Sequence, residues 1–291
     1  MSLSLSEFDK LWDYDNPAET EQKLRDLLPA AEKSSDKAYL LELLTQIART
    51  QGLQRKFADA HKTLDSVESA LQSDMKRARV RYLLERGRVF NSSKQPDSAR
   101  PFFLDAFALA QEAHEESLAV DAAHMMAIIE PPDKQIEWNL KAMNLAEEST
   151  DPRAQKWLGS LYNNLGWTFH DIGQYDEALE LFQKGAQFRE AHQQPKELRI
   201  AKWCVGRCLR SLGRVSEALE TQKALLNEHK VAGSSDGYVQ EELGECLLLL
   251  HREAESRPYF ACAFDELSKD AWMVENEAYR LNRLKELAAS V

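Results

Sequence analysis

Cys204 and Cys208 stand four residues apart, which on a helix would place two thiols on one face. With Cys246 they could offer three thiolates to a metal ion, zinc being the natural candidate. No fourth ligand is apparent, and the seven histidines show no pairing at metal-ligand spacing. Cysteine is also a small, soft residue that suits a tight seam between helices. The expectation is therefore four reduced thiols (Cys204, Cys208, Cys246 and Cys262), with no metal and no cofactor. Paired carboxylates such as Glu115-Glu116, Glu147-Glu148 and Glu241-Glu242 fit solvated helix faces better than acid–base chemistry. A glycine-rich phosphate loop, a serine elbow and a Cys/His nucleophile pattern are all missing from the sequence. These residue types point away from an enzyme.

The elements that carry them read as helices throughout. No segment alternates with period two over the length of a strand, so the fold class is all-α. Glycine and proline are sparse and fall between the helical stretches. Asn16-Pro17-Ala18-Glu19 reads as an N-cap, a proline at the first helical position and a capping-box glutamate. Asp151-Pro152 repeats that start signal without the glutamate. No apolar run approaches the roughly 20 residues needed to cross a bilayer. The opening MSLSLSEFDKLWDYDNP has neither a basic nor an apolar region of a secretory signal, so a cytoplasmic location is the expectation.

Within LYNNLGWTFHDIGQYDEALELFQKGA, residues 161–186, small and large residues alternate as two antiparallel helices require. Gly166 and Ala178 let the helices approach, Leu165, Phe169, Tyr175 and Phe182 fill the space between them, and Gly173 marks the turn. The spacing recurs at Gly87, Phe90, Ala99, Phe103 and Ala106, at Gly206, Leu209, Gly213 and Ala218, and at Gly244, Leu247, Ser256, Phe260 and Ala263. A further copy holds Ile47, Ala48, Phe57, Ala60, Leu64 and Val67, and weaker copies lie at 1–32 and 116–148. This pattern resembles the tetratricopeptide repeat (TPR), with Tyr162 where the family's tryptophan is usual and Gly185 where alanine is usual. The equivalent positions Thr20, Ala60, Ala99, Gln135, Ala178, Ala218 and Ser256 are 36 to 43 residues apart. The family's usual period is about 34. The longer period, with Asn163-Asn164 before Leu165-Gly166, is similar to the repeats of kinesin light chain-type peptide-binding adaptors.

The resemblance implies a right-handed superhelical α-solenoid of about seven helix pairs, near 1–32, 41–72, 80–113, 116–148, 159–192, 199–230 and 237–268. Residues 270–291 would form a C-terminal capping helix whose stripe is Trp272, Ala278, Leu281, Leu284 and Leu287. In the family the first helix of each repeat lines a groove. The positions that face it hold Arg49, Arg81, Arg88, Asn163, Trp167, His170, Trp203, Arg207 and Arg210 here, with Asn164 beside them. The chain carries 37 basic and 48 acidic residues, a net charge of −11, yet these positions are richer in arginine than in acid until the last repeat. Arginine could pair with a carboxylate or phosphate, asparagine could grip a peptide backbone, and tryptophan could anchor a side chain. The alternative is that Trp167 and Trp203 pack on each other, with Arg88 and Arg207 neutralised by Glu85 and Glu242. The basic run Lys76–Arg81 would fall half in the connection before the third repeat. The chaperone-tail clamp of the family is not reproduced, because Ile200 and Cys204 stand where it needs Lys and Arg.

A non-enzymatic scaffold or adaptor for a protein or an acidic peptide follows as the favoured function. Self-assembly through the convex face or the ends is the second reading, with Leu3, Leu5, Phe8, Leu11 and Trp12 as an N-terminal contact. A helical-repeat RNA binder is the third, and the charge of −11 opposes it, as no nucleic-acid or membrane partner is signalled.

Overall fold

The computed structural model describes residues 6–289, and all regular structure among them is α-helical. The chain divides into two compact units at Leu161 and Tyr162. The first holds α1 (Ser6–Leu11), α2 (Pro17–Arg25), α3 (Leu28–Lys33), α4 (Lys37–Leu53), α5 (Phe57–Ala70), α6 (Lys76–Ser92), α7 (Pro96–Glu112), α8 (Glu116–Ile129), α9 (Pro132–Glu148) and α10 (Pro152–Gln155). The division falls within α11 (Leu158–Asp171). The second unit continues with α12 (Tyr175–Ala191), α13 (Pro195–Ser211), α14 (Val215–Val231), α15 (Gly237–Leu249), α16 (Glu253–Leu267), α17 (Ala271–Asn276) and α18 (Ala278–Ala289).

Each unit is a stack of antiparallel pairs, in which a helix packs on its partner and the partner packs on the first helix of the next pair. In the first unit α4 packs on α5, α6 on α7 and α8 on α9, with α5 against α6 and α7 against α8. In the second, α13 packs on α14 and α15 on α16 in the same way. One contact sets the spacing within a pair. A side chain added at Gly166 would place its Cβ 2.6 Å from the Phe182 ring, and one added at Gly87 would lie 2.5 Å from Phe103. Gly244 stands against Phe260 in the same manner. In the pair α8 and α9 a buried asparagine, Asn139, takes the place of that aromatic, while Gln135 is only half-buried and donates to the Glu130 carbonyl.

Eight of the turns inside and between pairs share one geometry. Gly173, Gly213 and Gly233 have φ of 83°, 75° and 65°, and Arg55, Lys94, His114, Gln193 and His251 adopt the same left-handed conformation. In each case the next residue's N–H reaches back five residues, as Gln174 does to the Phe169 carbonyl and Gln95 to that of Phe90, both at 2.9 Å. This is the Schellman closure that satisfies a helix's last carbonyls. Five of the eight turns form without glycine, which is why glycine spacing alone understates the repeats.

Several expectations are revised. The run Lys76–Arg81 is helical throughout, since α6 begins at Lys76 with no proline or glycine before Gly87 to delay it. The C-terminal stretch is two helices, broken at Glu277 (φ −122°, ψ 29°). The break resets the helical phase, so Met273 is buried while Trp272 is 57% exposed, and Leu281 and Leu284 cover Phe260, Ala263 and Leu267. Asn16 caps α2, accepting from the Glu19 amide and donating to its carboxylate. Leu3 and Leu5 lie outside the described residues, whereas Phe8 is fully buried against Tyr39, 5.0 Å between ring centres.

Gly166→Ala is expected to lower stability by about 2 kcal/mol, because the methyl group meets an aromatic ring that has no room to retreat. Gly173→Ala, which meets no neighbour and only opposes a left-handed backbone, is expected to cost about 1 kcal/mol. Urea unfolding followed by circular dichroism measures both.

Candidate functional site

The most basic element is α6, KRARVRYLLERGRVFNS, with six cations and one acid over 17 residues. Its charges are taken up by helices on either side. Arg77 and Arg81 both reach Glu42 of α4, Nε to Oε2 at 3.2 and 2.9 Å, and Arg77 also bonds Glu115 ahead of α8. Arg88 pairs with Glu85 of its own helix at 2.6 Å and with Asp121 of α8, and Glu85 also receives Arg49 of α4 at 3.4 Å. A ladder of ion pairs thus runs from α4 through α6 to α8. Burial penalises both charges of the Arg88–Asp121 pair, and their mutual attraction outweighs it. Arg88 is accordingly raised and the Asp121 carboxyl held below the usual range, with Arg49 contributing.

The same helix faces border a cavity of about 420 Å³. Arg49, Arg77, Arg81, Arg153 and Lys156 line it, with Asp121 the one carboxylate among its walls. Aromatic rings close two sides. Trp12 and Tyr14, on the strap between α1 and α2, stack at 5.0 Å, and the Arg49 guanidinium lies over both rings at 5.4 and 5.7 Å. The strap is held by Trp12 Nε1–H to Gln46 Oε1 at 3.2 Å and by the Thr20 hydroxyl, which donates to the Asp13 carbonyl and accepts from its amide. On the far side Trp157 faces His124, 5.3 Å between rings, where burial lowers the histidine pKa and favours the neutral form. Arg153 pairs with Asp151 at 2.9 Å but keeps 53% of its side chain exposed, and Lys156 is exposed with no ion pair among the described residues. The cavity therefore presents excess positive charge between aromatic walls, a surface suited to an acid group beside an apolar side chain.

The second unit places its candidate residues differently. Trp167 packs edge-on against Phe182 at 5.1 Å and lies tilted against Trp203 at 5.9 Å. The Trp203 indole N–H donates to the Tyr238 carbonyl at 3.1 Å. Arg210 grips buried Glu242 with two bonds of 2.7 and 2.9 Å, and Arg207 reaches the same carboxylate at 3.2 Å. Asn163 donates to Asn164 Oδ1 at 3.4 Å and accepts from the Cys204 thiol at 3.4 Å. The ladder recurs beyond, with Arg280 of α18 on Glu241 of α15 and Arg283 on Glu245. Of the residues singled out by position, Arg49 and Arg81 share the cavity, Arg88 lies in the ladder, and Asn163, Trp167, Trp203, Arg207 and Arg210 are engaged with neighbouring helices.

His170, Ser211 and Asp171 invite a catalytic reading that their geometry does not support. His170 Nε2 is 2.9 Å from Ser211 Oγ, but Asp171 is 3.7 Å from Nδ1, too far for a hydrogen bond, and is exposed. Arg207 donates to the same hydroxyl at 2.6 Å, and burial and Arg207 lower the His170 pKa. The three buried thiols are equally quiet. Burial pushes Cys204 and Cys246 up to about 12 and Cys208 up to about 11. Among the described residues no group of three metal-ligating side chains converges, and no helix is long and apolar enough to cross a membrane.

Trp12, Tyr14, Arg153, Lys156 and Trp157 escape a search by repeat position for physical reasons. The first two lie on a strap and Arg153, Lys156 and Trp157 around the four-residue helix α10, so none occupies a repeat position. The available signal was a tryptophan at each connection, beside Tyr14 in the first and beside Arg153 and Lys156 in the second.

Residues 158–192 match the family model described as a tetratricopeptide repeat. The outer dynein arm-docking complex subunit 4 of Danio rerio is 25% identical over 150 residues, 46% of this chain. That alignment spans 28% of the relative's length. Among solved structures, apo RapI superposes with a TM-score of 0.71 at 13% identity, over 91% of this chain and 77% of that one. NprR in complex with its cognate peptide NprX gives a TM-score of 0.57 at 15% identity, over 98% of this chain and 85% of that one. These likenesses establish the fold as a TPR-like all-α solenoid.

Two outcomes follow from the packing. Glu242→Ala should destabilise by about 3 kcal/mol, since it strands two guanidiniums against a buried wall, and Trp203→Ala by about 2 kcal/mol; both are read from urea melts. Iodoacetamide at pH 8 should label Cys262 alone in the folded chain, and Cys204, Cys208 and Cys246 only after denaturation. Mass spectrometry reports the sites.

Proposed function

We propose that this chain is a non-enzymatic adaptor of the cytoplasm that holds an acidic segment of a partner protein, and that the first unit's cavity is its principal seat. The observation that carries the reading is the convergence of five cationic side chains and three aromatic rings on one opening in a chain of net charge −11. A field of that sign in an otherwise acidic protein steers an anionic segment to one place. Arg153 and Lys156 make the first encounter because they are the most exposed, while Arg49, Arg77 and Arg81 supply directional bonds deeper in the wall. Trp12, Tyr14 and Trp157 offer flat apolar area to a neighbouring side chain. A similar fold holding a peptide, NprR with NprX, supports a peptide over a small metabolite. Nucleic acid is disfavoured because the positive surface is one cavity and not a stripe that could follow a phosphate backbone.

In this reading the arginines and tryptophans of the second unit hold helices together, so that their contribution to binding is indirect.

The test uses two fluorescein-labelled octapeptides, each with one tryptophan, flanked by glutamates in one and lysines in the other. The acidic peptide should bind, and the basic one should not. Arg153→Glu with Lys156→Glu, both exposed positions, should weaken the acidic peptide about tenfold or more while the melting curve stays unchanged. Equal affinity for the two peptides, or indifference to the double variant, would overturn the assignment.

A further inference from the structure

Two of the arginines that line the cavity are already held by an acid of the chain itself. Glu42 projects from α4 with 3% of its side chain exposed, and its Oε2 accepts a hydrogen bond from Arg77 Nε at 3.2 Å and forms an ion pair with Arg81 Nε at 2.9 Å. Both guanidiniums belong to the cavity wall. The other buried carboxylates of the ladder, Glu85 and Asp121, act mainly on Arg88, which is not part of that wall. Glu42 is thus distinct among the described carboxylates in engaging two lining arginines at once. Its position is not a relaxed one: burial raises its pKa above the ordinary carboxylate value, and Arg81 and Arg77 offset this only in part, with Glu115 ahead of α8 adding to the rise.

Charge counting around the opening points the same way. Arg49, Arg77, Arg81, Arg88, Arg153 and Lys156 are six cations, and Glu42, Glu85, Glu115, Asp121 and Asp151 are five carboxylates. The surplus is one positive charge, so an incoming acid finds most of the wall's charge answered. We propose that Glu42 is an internal competitor for the acidic ligand, holding Arg77 and Arg81 in the empty cavity and thereby setting how tightly an acid group is bound. The proposal rests on the acidic-segment reading above. A ligand must draw donors of Arg77 and Arg81 away from Glu42, which keeps the complex weak and reversible and favours an acid group whose geometry lets both arginines be shared. Neutralising Glu42 leaves its shape in place and frees the arginines for the ligand.

The experiment measures the affinity of the full chain for the glutamate-flanked octapeptide. Glu42→Gln should bind it about tenfold tighter, the scale of one released charge-assisted hydrogen bond. Glu42→Gln combined with Arg81→Gln keeps the charge balance and should bind within about twofold of the native chain, because the lost donor and the lost competitor offset each other. A folded Glu42→Gln variant with unchanged or weaker affinity would sink the proposal while native preference for the acidic peptide left the cavity reading standing. Should Glu42→Gln fail to fold, the double variant decides: a loss of tenfold or more shows that Arg81 serves the ligand without competition from Glu42. A native chain that does not distinguish the acidic from the basic peptide is the separate failure of the reading itself.

Discussion

Everything in each unit follows from how closely two helices of a pair approach. Where Gly87, Gly166 and Gly244 meet Phe103, Phe182 and Phe260, the ring fills the volume a side chain would have needed. The helix axes are thereby fixed by a contact that tolerates no added methyl group, and protein interiors are packed densely enough to make such a contact costly to change. Once the pair is fixed, the first helices of successive pairs stand side by side within a unit. Their facing polar positions are then obliged to answer one another, and they do so with arginine on one helix and glutamate or aspartate on the next.

That obligation explains why the most basic helix of an acidic protein is not a free basic patch. Arg77, Arg81 and Arg88 of α6 each find a carboxylate on α4 or α8, as Arg207 and Arg210 of α13 find Glu242 on α15. Buried ion pairs return little net stability, because desolvation takes most of what attraction provides. Their value here is registry: a guanidinium that reaches across to a particular carboxylate specifies which turn of one helix faces which turn of the next. In the proposed reading, function depends on where the ladder is left incomplete. Around the cavity of the first unit the aromatic strap and the short helix α10 bring Trp12, Tyr14, Arg153, Lys156 and Trp157 to the ladder's edge, and the account of charges no longer closes.

The fold was legible because its determinants are local. Gly166, Ala178 and Phe182 recur at spacings that only paired helices satisfy, and the absence of period-two alternation removes strands from consideration. The site was much less so. Arg207 beside Glu242 reads from sequence either as a ligand contact or as an ion pair, and only the distance between α13 and α15 separates the two. Trp203 looks like an anchor until its indole N–H is found on the Tyr238 carbonyl. Glu42 carries no mark at all, since a lone glutamate on a helix is usually solvated, and its burial between two arginines is a property of two helices together. Non-glycine turns at Arg55, Lys94, His114, Gln193 and His251 left no glycine to mark them in the sequence, their left-handed backbone being imposed by the helices they join.

In the proposed reading ligand charge is received in the first unit, and the arginines of the second are committed to structure. Photo-crosslinking addresses it directly: an acidic octapeptide carrying a benzophenone beside its tryptophan is irradiated with the full chain, and the attachment sites are mapped by mass spectrometry. Crosslinks to residues 12–14 and 153–157, competed by unlabelled acidic peptide, are the expected result. Crosslinks confined to the segments around Trp203, Arg207 and Arg210 would contradict it.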